Sequence, residues 1–133
     1  MTAVLGPGRP FAGNERELLE STLELHRAEL VAAVDGLTDA QSRQQLVPSL
    51  TTPISLIKHC AAAERIWFQR TLAAMAAEEC DGHSTGGDSS FYVTAAETLA
   101  GVIAEYVAAC EKSGKSLRTT AWTTPPNTGW SAR

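Results

Sequence analysis

An all-α fold, a bundle of three long helices and one short one, is predicted for this 133-residue chain by three observations. Apolar residues recur at helical spacing in three long stretches, a Ser, Thr or Asn start signal precedes each, and alanine is abundant while aromatics make up only 6%. Small side chains of that kind let helices approach closely.

The length suits one domain with a single core. Residues 1–13, with three glycines and two prolines, read as an irregular lead-in. Residues 14–113 read as the helical domain. Residues 114–133, with two prolines and a run of threonines, show no helical period and read as an irregular tail.

From Asn14, an N-cap, Leu19, Leu23, Leu30, Val34 and Leu37 recur at helical spacing up to Asp35-Gly36. At about 100° per residue His26 falls near the middle of that arc, so it is expected to point inward. "TDAQ" is a capping box, Thr38 with Gln41, opening a short helix that stops before Pro48.

Thr52 as N-cap and Pro53 at the first helical position open a second long helix, expected to run to about Ala77. Its arc holds Leu56, Ile57, Cys60, Trp67, Phe68, Leu72 and Met75. Glu64 lies inside that arc, where an unpaired carboxylate is costly, so it requires a partner or water. His59 lies at the arc's edge, able to face both core and solvent.

Residues 78–93, "EECDGHSTGGDSSFYV", form a loop too long to be an ordinary connection. Its Gly86-Gly87 pair lacks the lysine and the strand-to-helix context of a phosphate-binding loop. "TAAE", Thr94 with Glu97, is a second capping box, expected to open a third long helix with an arc of Leu99, Val102, Ile103, Tyr106 and Cys110 that ends near Ser113-Gly114.

Fifteen acidic and eleven basic residues are dispersed along the chain for a net charge of −4, and no basic block is present to track a phosphate backbone, which argues against nucleic acid. No apolar run reaches the roughly 20 residues needed to cross a bilayer, and the N-terminal residues do not read as a signal peptide. The expectation is a cytoplasmic protein without membrane contact. Cys60, Cys80 and Cys110, odd in number and without a C-x-x-C pair, fit a reducing compartment, with Cys60 and Cys110 as small hydrophobes on apolar faces.

A zinc or nickel site needs at least three protein ligands. The chain has three histidines, His26, His59 and His83. His26 and His59 on neighbouring helices, with Glu64 or His83 as third ligand, are the metal candidates. The alternatives are a core His26 bonded to a carboxylate such as Glu64, a boundary His59 and a solvated His83. No cysteine has a histidine at a spacing that forces contact, so no catalytic nucleophile is assigned.

Three strings, "LELHRAELVAAVDGLTDAQ", "LVPSLTTPISLIKHCAAAERIWFQRTL" and "AAETLAGVIAEYVAACEKS", resemble the DinB-like superfamily, in particular its actinobacterial mini-circle-protein branch, close to the mycothiol-dependent isomerases and bacillithiol transferases. The similarity covers about residues 15 to 113, and the Leu-Val-Pro-Ser, Thr-Thr, Ile-Lys-His, Glu-Arg-x-Trp-Phe succession is its most specific part. The resemblance implies an up-down four-helix bundle holding a divalent metal, zinc or nickel, through three side chains. His59 matches the ligand of the second long helix. The other two come from a last helix, as a pair four residues apart. A thiol co-substrate such as mycothiol would then attack an electrophile as a metal-activated thiolate.

No histidine follows His83 in this sequence. The resemblance therefore implies a truncated family member whose usual C-terminal bundle helix is missing, with an incomplete metal site and no autonomous catalysis. A bundle helix buries several apolar side chains worth roughly 1.5–3 kcal/mol each, so its loss leaves an open groove that a second copy or a partner helix fills, that the threonine-rich tail covers, or that leaves the fold marginal. Two other readings stand beside it: an active metal- and mycothiol-dependent S-transferase with a rebuilt or dimer-completed site, and a non-enzymatic helical interaction module.

Overall fold

A computed structural model describes residues 14–120; the expected irregular lead-in and most of the expected irregular tail lie outside the described residues. Among the described residues the fold is all-α, with helices α1 (Glu15–Val34), α2 (Asp39–Ser42), α3 (Pro53–Glu64) and α4 (Leu99–Thr119). No helix among them is long and apolar enough to cross a membrane.

The start signals of the first three helices act as the sequence predicts. Asn14 and Glu17 form a capping box at α1, Thr38 and Gln41 one at α2, and Thr52 one at α3 with Ser55, with Pro53 in the first turn. Each box satisfies two backbone N–H groups that have no partner within the helix. Glu15 and Glu17 add negative charge where the α1 dipole is positive.

Other boundaries differ from expectation. The second long helix does not reach Ala77: α3 widens at Arg65 into a π-helical segment, Arg65–Leu72, and stops there. The Ala73 N–H bonds the Phe68 carbonyl and Ala74 takes the left-handed region at φ 54°, a conformation usually left to glycine and unmarked in the sequence. The third long helix starts at Leu99, capped by Thr98, and not at Thr94. The Thr94 N–H does bond the Glu97 carboxylate at 2.7 Å, but that pair closes a turn before the helix. α4 then runs five residues past Gly114, carried by backbone bonding to Thr119.

The core is built where α3 meets α4. Ile54, Ile57, Ala61, Val102, Tyr106 and Ala109 are buried there, and the alanines let the two backbones approach closely. α1 joins through Val34, with Leu30 and Val31 half-buried. Its ends are tied by polar contacts: Arg16 donates to the carbonyls of Leu117 and Thr120, the free acceptors at the C-terminus of α4. At the other end of α4 the Asp39 carboxylate accepts the Leu99 N–H at 2.8 Å, so α2 caps a helix sixty residues away.

The rotation of α1 corrects the expected position of His26. Its side chain is 59% exposed and faces Glu29 at 3.6 Å, while the next residue, Arg27, is buried. The inward stripe is Arg27, Leu30, Val31 and Val34, about one residue round from the arc that the leucines suggest. Electrostatics decides this, because Glu64 on α3 needs a cation and Arg27 supplies it. Leu18 and Leu19 are exposed in consequence, and Trp67, expected in the apolar arc of the second long helix, is exposed as well.

Candidate functional site

Three polar clusters lie along α3 and its π-helical continuation. The first is the buried ion pair. Arg27 Nε and Nη2 donate to the two Glu64 carboxylate oxygens at 2.8 and 2.6 Å, and Nη1 donates to Glu24 at 2.5 Å. The guanidinium also lies 5.5 Å from the centre of the Phe68 ring. Glu64 therefore has the partner that its place in the arc required, but it is Arg27 and not His26. Asking which cation one helix away could reach Glu64 would have found it, since Arg27 directly follows His26.

Two open grooves flank this pair. One of about 370 Å³ runs between α1 and α3, walled by Leu23, Leu30, Cys60, Trp67 and Phe68. The other, about 560 Å³, lies between α1 and α4 and is lined by Val31, Val107 and Cys110 among others. Arg27 and Tyr106 contribute to both. Both are bounded here by described residues alone.

The thiols beside the pair are held protonated. Burial, reinforced by the Glu64 charge, raises Cys60 above an ordinary thiol, and the same two causes push Cys110 up to about 11 against a weaker opposing bond from Tyr106. All three cysteines are free.

The second cluster centres on Arg65, whose side chain is 1% exposed. It donates to Asp81 at 2.9 Å, to Glu105 of α4 at 3.0 Å and to the His83 carbonyl at 3.3 Å, and Gln69 also donates to Asp81 at 3.1 Å. Arg65 and Gln69 both lie in the π-helical segment and are its buried residues. The loop after Cys80 lies against them so closely that a Cβ on Gly82 would stand 2.6 Å from the guanidinium carbon of Arg65. Burial raises the Asp81 carboxyl, but bonds from Gln69 and Arg65 and the charges of Arg65 and Lys112 outweigh it and hold the group below its usual range.

His59 forms the third cluster. Half-buried at the arc's edge, its Nδ1 lies 2.7 Å from Ser90 Oγ, and its ring stacks on Phe91 with centroids 4.1 Å apart and planes 10° from parallel. Ser90 and Phe91 belong to the 3-10 turn Asp88–Phe91, which Gly87 enters at φ 82°. Sequence reasoning missed both, since the glycine- and serine-rich loop carries no periodicity. The Gly-Gly pair just before them was the available signal of a sharp turn.

The remaining metal candidates are not brought together. His26 faces Glu29, Glu64 is held by Arg27, and His83 Nε2 lies within hydrogen-bond distance of Thr85 and Ser89. Among the described residues no three His, Cys, Asp or Glu side chains are placed to hold a metal ion. Residues 1–13 and 121–133 contain none of these types. The described side chains therefore do not fit a metal by themselves.

The described elements make an all-α helical bundle. The family model for mycothiol S-transferase matches residues 18–133, and the chain belongs to that DinB-like family. No curated protein and no solved structure matches it.

Proposed function

We propose that this chain is a mycothiol S-transferase-type domain that contributes one ligand, His59, to a divalent metal, zinc or nickel, and has no autonomous transfer activity until a second polypeptide supplies the rest. The observation that carries this is the isolation of His59: it is held in place by Ser90 and Phe91, while Glu64 and His83 are engaged elsewhere and His26 points to solvent. The family match supports mycothiol as the thiol.

The open groove supports the second half of the proposal. Leu23, Leu30, Trp67 and Phe68 wall it, with Trp67 65% exposed, and an apolar channel of this kind suits another copy of this chain or a partner helix. Three free cysteines suit a cytoplasmic setting.

The test uses purified protein with zinc or nickel, mycothiol and a small alkylating electrophile, alongside light scattering. The expected result is a monomer without turnover and an associated form, weakened by Trp67→Ala, whose metal content falls in His59→Ala. Turnover with stoichiometric metal in a strict monomer, unaffected by His59→Ala, would overturn the proposal.

A further inference from the structure

We infer that Ser90 is a positioning residue that locks the neutral His59 ring as its Nδ1–H tautomer, so that Nε2 is the nitrogen presented with a free lone pair. The argument is a count of protons. Ser90 Oγ lies 2.7 Å from the Gly87 carbonyl oxygen and 2.7 Å from His59 Nδ1. A carbonyl oxygen has no proton to give, so the single hydroxyl proton of Ser90 points at Gly87. Oγ then faces Nδ1 as an acceptor, and Nδ1 must carry the proton.

The arrangement is held from several sides. Ser90 is 1% exposed, so no bulk water replaces either partner. The Ser90 N–H bonds the same Gly87 oxygen at 3.1 Å and closes the turn. Phe91, stacked on one face of the imidazole, fixes the ring plane. Nε2 makes no hydrogen bond among the described residues and is not an enclosed orphan, a condition found there only for Gln69 Oε1. Which nitrogen of a histidine can ligate is set by the bond that the other one makes. That Nε2 serves as a metal ligand rests on the function proposed above; the tautomer does not.

Long-range proton–nitrogen correlation spectra of protein carrying isotope-labelled histidine, taken near pH 9 where an ordinary imidazole is neutral, decide the matter. His59 signals are assigned by their loss in His59→Ala. The expected wild-type pattern is a protonated Nδ1 and an unprotonated Nε2, with the proton moving to Nε2 in most molecules of Ser90→Ala. A protonated Nε2 in the wild type overturns the inference without any variant, and an unchanged pattern in Ser90→Ala overturns it too. A purely structural serine would not move this signature. Zinc titration separates the two levels: equal binding by wild type and His59→Ala removes the ligand reading and leaves the tautomer standing. Where binding depends on His59, Ser90→Ala should weaken it about 10–100-fold, and an unchanged affinity overturns the positioning role.

Discussion

Arg27 and Glu64 meet through two parallel hydrogen bonds of 2.8 and 2.6 Å, joining α1 to α3 across a region where α1 packs few large apolar side chains. Their side chains are 6% and 9% exposed, so each charge depends on the other for its solvation. Removing one partner strands the other.

Glu64→Ala or Arg27→Ala is accordingly expected to destabilise the fold by about 3–5 kcal/mol, the range for breaking a buried pair. Replacing both by apolar residues of similar volume should recover much of that loss, because no unpaired charge remains. Urea unfolding followed by tryptophan fluorescence gives both numbers. Losses under about 1 kcal/mol for the single variants would mean that water reaches the pair.

Asp81 gives stability an acid limb. Its carboxyl is depressed in the folded state, so the stabilisation is complete above the unfolded value of about 3.9 and is lost as pH falls through the lower folded value. Glu97, depressed by its bonds to Lys58 and Thr94 despite partial burial, adds in the same direction. Urea midpoints taken downward from pH 5 should fall, and Asp81→Asn should fall less steeply over the same range. Parallel curves for the two proteins would count against the Arg65–Asp81 contact.

Cys110 should be a slow nucleophile. A thiol pushed up from 9.0 to about 11 has about 100-fold less thiolate at neutral pH than an unperturbed one. Iodoacetamide labelling of the native protein, read by mass spectrometry, is expected to leave Cys110 unmodified on the timescale that modifies a free cysteine, and unfolding should abolish the difference. Rapid native labelling of Cys110 would show that its burial is not maintained.

Thr98→Ala should cost about 1 kcal/mol, because Thr98 Oγ1 accepts the Gly101 N–H at the start of α4. Thr94→Ala should cost less, since Thr94 lies before the helix and its backbone bonds to Glu97 and Arg43 survive the substitution, leaving only a side-chain bond to Glu97 to be lost. Thermal unfolding of the two variants compares them directly, and the reverse order would place the helix start at Thr94.

The local signals were legible in the sequence because they act over three or four residues. The N-caps at Asn14, Thr38 and Thr52, the all-α class and the need of Glu64 for a partner all follow from spacing and from the cost of an unpaired charge. Helix ends were less legible: Ala74 stops the second long helix in a left-handed conformation that its residue type does not announce, and Thr98 and not Thr94 caps the third. Periodicity placed His59 at a boundary, while the serine and phenylalanine that orient it sit some thirty residues away in a stretch without period.

The sequence by itself determined that this chain forms helices and where three of the four begin. The tertiary structure alone decided which way α1 turns, because its apolar pattern permits two neighbouring rotations and only the facing carboxylate of Glu64 selects the one that buries Arg27 and exposes His26. It also decided that the metal candidates stay apart. Three side chains share a metal only if helix rotation and loop path agree, and those are settled by long-range pairing that no local spacing records.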